Sequence, residues 1–213
     1  MHPIFEKLAE MRIVPVIVIN DVTKAVPLAK ALCNGGLPCA EVTFRTACAP
    51  DAIREITKAL PDMLVGAGTV LTPAQVDQAL DAGSQFMVAP GLNPDVVKHC
   101  QAKNVPMLPG VCTPSEVEQA LSLGLDIVKF FPAEAAGGVK MLSAMSAPYV
   151  GLKFMPTGGL TPSNITDYLN LKSVKVCGGS WMVKDDLINA GDFETIEKLT
   201  REAVKLAANQ SKA

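Results

Sequence analysis

The sequence predicts a single (β/α)8 barrel, the TIM-barrel class of α/β proteins, that spans residues 1–213. Short β-rich apolar runs alternate with longer amphipathic segments to the end of the chain. Eight strands, each followed by a helix, are the units that close such a barrel. The length of 213 residues lies near the lower end of the usual range for the fold. An open, doubly wound sheet uses similar units and is the alternative.

The strands are predicted first, because function in a barrel belongs at their carboxyl ends. They are Ile13–Val18, Cys39–Arg45, Met63–Val70, Phe86–Pro90, Pro106–Val111, Ile127–Ala133, Lys153–Gly159 and Val174–Ser180. The predicted helices are Val22–Cys33, Ala49–Ala59, Pro73–Ala82, Pro94–Lys103, Pro114–Ser122, Asn164–Leu171 and Phe193–Ala208. Four pairs place a capping side chain before an N1 proline, namely Thr72-Pro73, Asn93-Pro94, Thr113-Pro114 and Thr161-Pro162. Gly35, Gly83 and Gly124 lie where helices should end.

Composition excludes several classes of protein. With 49% hydrophobic and 19% charged residues the chain can bury a large core, and its net charge of -2 gives no reason to expect nucleic-acid or membrane-surface binding. No leader-like start is present, and no apolar run approaches the ~18 residues that cross a bilayer. We therefore expect a soluble, cytoplasmic protein.

Cysteine and histidine usage argues against structural disulfides and metals. None of the six cysteines forms a CxxC pair, and they fall inside apolar segments, so we expect core thiols. The two histidines, His2 and His99, are poorly placed to share a metal site. We expect neither a metal nor another cofactor.

Lys129 lies within the apolar run Asp126–Pro132, where an ordinary lysine is unexpected. Burial disfavours a charged amine, and an uncharged amine can attack a carbonyl to form a Schiff base. The alternative is a stem that packs along the strand while the head reaches solvent. Lys175 lies in a similarly apolar run and competes for the role, whereas Lys153 opens its strand, far from the functional end. Strand alternation does not tell which face of its strand Lys129 occupies.

Glu41, Thr43 and Arg45 share one face of the second predicted strand, because strand side chains alternate. This polar set must point into the barrel or its mouth, which favours a functional role. The structural alternative is a mutual ion pair between Glu41 and Arg45.

Glycine pairs end the last two strands, in Thr157-Gly158-Gly159 and Gly178-Gly179-Ser180. Glycine lets backbone N–H groups approach an anion, and the loops after strands 7 and 8 are the usual phosphate site of a barrel. Gly66-Ala67-Gly68-Thr69 ends the third strand similarly and leaves Thr69 free for a polar contact.

Two long motifs resemble those of a known family. Gly36–Arg45 resembles the glutamate motif of the 2-keto-3-deoxy-6-phosphogluconate (KDPG) and 4-hydroxy-2-oxoglutarate (KHG) aldolase family, and Gly124–Gly137 resembles its lysine motif. Three shorter segments follow the family's order: Gly66–Val70, Pro156–Gly159 and Gly178–Trp181. The resemblance runs from about Val14 to about Ala203.

The resemblance implies a homotrimeric class I aldolase whose substrate is a phosphorylated 2-keto acid. It makes Lys129 the Schiff-base lysine, in preference to Lys175, and Glu41 the proton-transfer residue. The implied substrate contacts are Arg45, Thr69 and Thr157 at the pyruvyl end, Gly158, Gly159, Gly179 and Ser180 around the phosphate, and Phe131 and Pro90 in the pocket wall.

Several functions stay open at this level. The implied reactions cleave KDPG to pyruvate and D-glyceraldehyde 3-phosphate, and KHG to pyruvate and glyoxylate. A relative that prefers the galactonate epimer, KDPGal, would carry similar motifs. More distant alternatives are a phosphate-binding isomerase or epimerase in which Lys129 acts electrostatically, and a non-catalytic metabolite-binding barrel.

Overall fold

A computed structural model describes residues 1–208, in which parallel strands alternate with α-helices. The strands are β1 (Ile13–Ile17), β2 (Cys39–Thr43), β3 (Leu64–Gly68), β4 (Phe86–Val88), β5 (Met107–Leu108), β6 (Gly110–Val111), β7 (Ile127–Phe130), β8 (Lys153–Pro156) and β9 (Cys177–Gly179). The helices are α1 (Pro3–Met11), α2 (Ala25–Asn34), α3 (Ala49–Ala59), α4 (Pro73–Asp81), α5 (Pro94–Ala102), α6 (Pro114–Ser122), α7 (Gly138–Ser146), α8 (Ile165–Leu169), α9 (Asp185–Ala190) and α10 (Phe193–Ala208).

The strands form two hydrogen-bonded sheets in which every registered pair is parallel. One sheet has the order β5-β4-β3-β2-β1-β9, and the other has the order β6-β7-β8. Pro109 separates β5 from β6 within one predicted strand, and proline has no N–H to donate to a ladder. Parallel bridges from Phe154 to Val174 and from Thr157 to Gly178 connect β8 with the segment that contains β9. The predicted α/β fold with parallel strands is confirmed.

Two separate apolar clusters pack against the strands. The larger cluster lies between strands and helices and includes Val128 and Phe130 of β7. The smaller one draws residues from both sheets and from α1: Phe5, Leu8, Val14, Cys39, Leu64, Phe86, Val88, Leu108, Ile127, Met155 and Val176. Because Ile127 belongs to this inner cluster, the alternation of β7 places Lys129 on the inner face as well. The structure thus shows which face of β7 Lys129 occupies, which strand alternation alone does not tell.

Most predicted elements are present, with shorter strands and three additional helices. Seven of the eight strands end before their predicted boundary, whereas the fifth ends at Val111 as predicted. No bounds were predicted for α1, α7 or α9. The predicted cap at Thr161-Pro162 is wrong, since α8 begins at Ile165 and Asn164 precedes it. The Thr161 N–H donates to Asn164 Oδ1 at 2.8 Å, so these residues form a turn instead.

The other three predicted caps are confirmed, whereas α2 begins at Ala25, three residues after its predicted start, because Val22–Lys24 form a 3-10 helix. The side chains of Thr72, Asn93 and Thr113 each accept a backbone N–H of the helix that follows. Gly83 and Gly124 follow helix ends with φ values of +97° and +75°, a region that favours glycine.

The cysteines are free thiols, and Cys39, Cys100 and Cys177 are buried. Burial raises the pKa of Cys100 to about 12, and it raises the pKa values of Cys39 and Cys177 still further above their ordinary range. Within residues 1–208, no helix has the length and apolar character that a membrane span requires. In the same residues no three His, Cys, Asp or Glu side chains are grouped to hold a metal ion.

Candidate active site

A cavity of about 260 Å³ opens at the carboxyl ends of the strands. Its lining combines two cationic side chains with glycine-rich backbone and one carboxylate. The lining residues are Val16, Val18, Arg45, Lys129, Phe131, Thr157, Gly158, Gly159, Leu160, Gly178, Gly179, Ser180 and Asp185. The cavity therefore brings together segments that follow five different strands, β1, β2, β7, β8 and β9.

Lys129 is buried in the wall of this cavity. It lies on β7 between Gly110 of β6 and Met155 of β8, and only 5% of its surface is exposed. Its Nζ lies 3.5 Å from Glu41 Oε1 and 5.0 Å from the centroid of the Phe131 ring. The alternative in which the ammonium reaches solvent is therefore wrong.

Glu41 lies on β2, across the interior from Lys129, and is 1% exposed. In the register of the sheet it is paired with Val16 of β1 and with Gly66 of β3. Its partner among residues 1–208 is Lys129, so the alternative of a mutual Glu41–Arg45 ion pair is wrong. A buried carboxylate is costly unless it is paired, and the Lys129 ammonium supplies the opposite charge.

Two buried polar atoms of the site have no hydrogen-bond partner within the described chain. They are Glu41 Oε2 and Thr157 Oγ1. Buried polar groups are nearly always hydrogen-bonded, and exceptions in native proteins are common where a ligand or water completes the set. Thr157 lines the cavity and Glu41 contacts Lys129 in its wall, so water or a ligand in the cavity can complete their hydrogen bonds.

Glycine at position 68 leaves the space that the Glu41 side chain occupies. A Cβ at Gly68 would lie 2.3 Å from Glu41 Oε1 and 2.6 Å from its Cγ, closer than atoms pack. Similarly, a Cβ at Gly178 would lie 2.3 Å from Thr157 Oγ1. These glycines are thus required by close approach of the two polar side chains.

We expect Gly68→Ala to displace the Glu41 carboxylate and to lower the free energy of unfolding by about 1–3 kcal/mol, the usual cost of overpacking. Chemical denaturation of the purified protein measures the effect. Gly91→Ala is the matched control, because a Cβ there meets nothing within 4 Å. Equal stability of the two variants would contradict the packing argument.

The remaining predicted site residues are divided between the cavity and its surroundings. Phe131, Arg45 and the glycine-rich loops line the cavity. Thr69 and Pro90 are not among its lining residues. Thr69 follows β3 with a φ of +57°, and the Pro90 carbonyl packs against Gly110, whose added Cβ would lie 2.0 Å from that oxygen.

Two residues that the sequence analysis considered for the site, Thr43 and Lys175, do not contribute to the cavity. The Thr43 hydroxyl donates to the carbonyl of Ile17 at 2.9 Å. Lys175 is exposed and lines a separate cleft with Arg12 and Lys172. Lys175 therefore does not share a site with Glu41.

The sequence interpretation omitted several lining residues. Val16 and Val18 lie on alternate positions of the first predicted strand, the same signal that grouped Glu41 with Arg45. Asp185 opens α9 shortly after the second glycine motif. Its exposed carboxylate lies between two other charged residues, Lys184 and Asp186, and gave no comparable signal.

Comparison with known proteins gives consistent matches over nearly the whole chain. The family model described as KDPG and KHG aldolase matches residues 4–199. The 2-dehydro-3-deoxy-phosphogluconate aldolase of Treponema pallidum is 48% identical over 97% of this chain and 98% of its own length. The KHG/KDPG aldolase of Escherichia coli K12 is 50% identical over 91% of each chain.

A solved structure agrees with these matches. The KDPG aldolase of Legionella pneumophila, crystallised with pyruvate captured at low pH as a covalent carbinolamine intermediate, has a TM-score of 0.91 and 39% identity. The match covers 95% of this chain and 98% of that one. With the family model and both relatives, this likeness shows that the chain belongs to the KDPG and KHG aldolase family.

Proposed function

We propose that this chain is a class I aldolase that reversibly cleaves KDPG to pyruvate and D-glyceraldehyde 3-phosphate, and that also cleaves KHG to pyruvate and glyoxylate. The observation that carries the proposal is the buried Lys129, whose Nζ lies 3.5 Å from Glu41 Oε1 at the wall of the cavity. An amine and an acid–base group at one cavity are the parts that Schiff-base chemistry requires.

In the proposed first step, the Lys129 ammonium gives a proton to the Glu41 carboxylate, and the uncharged amine attacks the C2 ketone of the keto acid. The carbinolamine that forms loses water and becomes an iminium, with Glu41 donating the proton that the leaving hydroxyl needs. The iminium places a positive charge beside C3, where it can accept an electron pair. This step converts the substrate into a covalent intermediate whose C3–C4 bond is easier to cleave than that of the free keto acid.

Cleavage then follows from the same two residues. Glu41 takes the proton of the C4 hydroxyl, the C3–C4 bond breaks, and its electron pair enters the iminium to give an enamine. The aldehyde leaves, C3 is protonated, and water hydrolyses the resulting iminium to release pyruvate and free Lys129. No external oxidant or reductant is consumed.

The polar lining supports a division of the cavity into two ends. We assign Arg45, Thr157 and Thr69 to the pyruvyl end, where a guanidinium fork can pair with a carboxylate. Gly158, Gly159, Gly179 and Ser180 are assigned to the phosphate, and Phe131 and Pro90 to the wall. The unpartnered Thr157 Oγ1 supports this assignment for Thr157, whereas Thr69 and Pro90 rest on the family resemblance alone.

Borohydride trapping tests the proposal. Reduction of the protein in the presence of pyruvate should add the mass of the reduced adduct to the peptide that contains Lys129, because only an iminium is captured. Pyruvate release from KDPG, KDPGal and KHG, compared on the same preparation, ranks the substrates. Label on Lys175 would refute the assignment of Lys129 as the nucleophile. No label together with no pyruvate release would refute the proposed reaction and favour an isomerase or epimerase.

Four further features belong to the same proposal. We propose that the strands close into one (β/α)8 barrel that forms a single domain over residues 1–213, of which residues 209–213 lie outside those that the structure describes. The inner cluster drawn from both sheets supports closure, as do the bridges from β8 toward β9. The family resemblance supports a homotrimer, which sedimentation would test, and a cytoplasmic location, which fractionation would test.

A further inference from the structure

We propose that Glu134 and Tyr168 form a positioning pair that fixes the Gly158–Gly159 turn and so sets the affinity of the enzyme for the phosphate group of its substrate. The inference rests on the proposed function and extends it to two residues outside the cavity lining. Glu134 lies in the loop between β7 and α7, and Tyr168 lies on α8. The pair thus connects the loops that follow β7 and β8.

Backbone hydrogen bonds hold these two loops together. The N–H of Ala133 donates to the carbonyl of Thr157 at 2.8 Å, and the N–H of Glu134 donates to the carbonyl of Gly158 at 3.0 Å. Asn164 Nδ2 donates to the carbonyl of Gly159 at 3.2 Å. Both glycine carbonyls therefore accept hydrogen bonds from residues that do not line the cavity.

The N–H groups of the same turn, in contrast to its carbonyls, have no hydrogen-bond partner among the described residues. Within residues 1–208, neither the N–H of Gly158 nor that of Gly159 donates a hydrogen bond to another group. Both glycines have positive φ values, +103° and +80°, and both line the cavity. Free N–H groups in such a turn form an anion-binding concavity. Its affinity depends on how firmly the turn is held, because an ordered donor set loses less entropy on binding.

The Glu134 side chain packs directly against this turn. A Cβ at Gly159 would lie 2.7 Å from Glu134 Cβ and 2.8 Å from its Cγ, so only glycine fits above these methylene groups. The carboxylate extends farther, where Oε1 accepts a hydrogen bond from the Tyr168 hydroxyl. The hydroxyl thereby fixes the position of a carboxylate that does not line the cavity.

Tyr168 is suited to this role. Its side chain is fully buried, so the ring cannot move without disturbing the surrounding core. Burial, reinforced by the Glu134 carboxylate, raises the pKa of Tyr168 above its ordinary value, so the hydroxyl stays protonated and remains a donor. A hydrogen bond to a charged group contributes more than one between neutral groups.

The test compares Tyr168→Phe with wild type on a phosphorylated and an unphosphorylated substrate. Phenylalanine keeps the ring and removes the donor. We expect KM for KDPG to rise roughly tenfold, equivalent to about 1.4 kcal/mol. The kcat/KM for KHG, which has no phosphate, should stay within about twofold, since a change of that size lies below 0.5 kcal/mol. A purely structural role would shift both substrates together.

Matched variants make the result specific. Tyr149→Phe removes the only other tyrosine hydroxyl of the chain, which donates to Glu118 Oε1 at 3.2 Å outside the cavity lining, and it should leave both substrates unchanged. Glu134→Gln keeps an oxygen acceptor and should retain most of the affinity, whereas Glu134→Ala should reproduce the defect of Tyr168→Phe. Glu134 is exposed, so Glu134→Ala serves if Tyr168→Phe unfolds.

Binding of inorganic phosphate, measured by calorimetry, separates this proposal from the proposed reaction. A roughly tenfold weaker Kd in Tyr168→Phe is expected, corresponding again to about 1.4 kcal/mol. An unchanged Kd, or parallel losses with KDPG and KHG, would overturn the positioning role. A wild-type protein that releases no pyruvate would instead defeat the proposed reaction, and phosphate binding alone would then decide this inference.

Discussion

Lys129→Met is expected to lower kcat for KDPG cleavage by roughly 10⁴ or more, the scale of losing a nucleophile. The substitution removes the amine that would form the iminium while keeping an unbranched side chain in the inner wall. Because methionine tolerates an apolar site, the fold should survive the change. Steady-state pyruvate release measures the loss, and borohydride should no longer trap the keto acid.

Lys175→Met is the control for this variant. Lys175 lies in a similarly apolar run of sequence, but its exposed side chain lines a cleft that does not include Glu41. We expect its kcat to match that of wild type. A Lys129→Met protein that still forms the reduced adduct, or that retains more than about one hundredth of wild-type kcat (a loss of less than ~2.7 kcal/mol), would eliminate Lys129 as the nucleophile.

Glu41→Gln is expected to lower kcat by roughly 10²–10⁴, the contribution of a well-placed general acid–base group. Glutamine keeps the shape that Gly68 accommodates, so the loss would come from proton transfer rather than packing. The uncharged amide also leaves Lys129 without its buried anionic partner. Single-turnover measurements should show slower formation of the iminium and slower C3–C4 cleavage.

Glu118→Gln provides the matched control, since Glu118 is exposed and contacts Tyr149 outside the cavity. Borohydride trapping should still label Lys129 in the Glu41→Gln protein, more slowly than in wild type. A Glu41→Gln protein within tenfold of wild-type kcat would show that another group moves the protons.

Sequence patterns predicted the parts of the site that depend on local order. Alternation along β2 placed Glu41 on a polar face, and the apolar run around Lys129 marked it as unusual. The pairing of these two residues was beyond such patterns, because they are 88 positions apart and lie in different sheets. Only the closing of the interior brings them within 3.5 Å.

The features that the sequence did not predict have equally local causes. The inward face of β7 depends on which apolar neighbours meet in the inner cluster, and strand alternation alone gives two equivalent answers. Thr161 and Asn164 are both good capping residues, but neither side chain caps α8, because Asn164 Oδ1 accepts the Thr161 N–H in the turn before the helix. Glu134 resembles an ordinary solvated loop carboxylate, since its partner Tyr168 lies 34 positions later.

The burial of Lys129 also determines how the protein can be handled chemically. Bulky amine-reactive reagents will meet exposed lysines such as Lys172 and Lys175 well before a side chain that is 5% exposed. Attachment to a solid support through surface amines should therefore leave the Lys129 amine free. Carbonyl compounds small enough to fit a cavity of about 260 Å³ can still reach it.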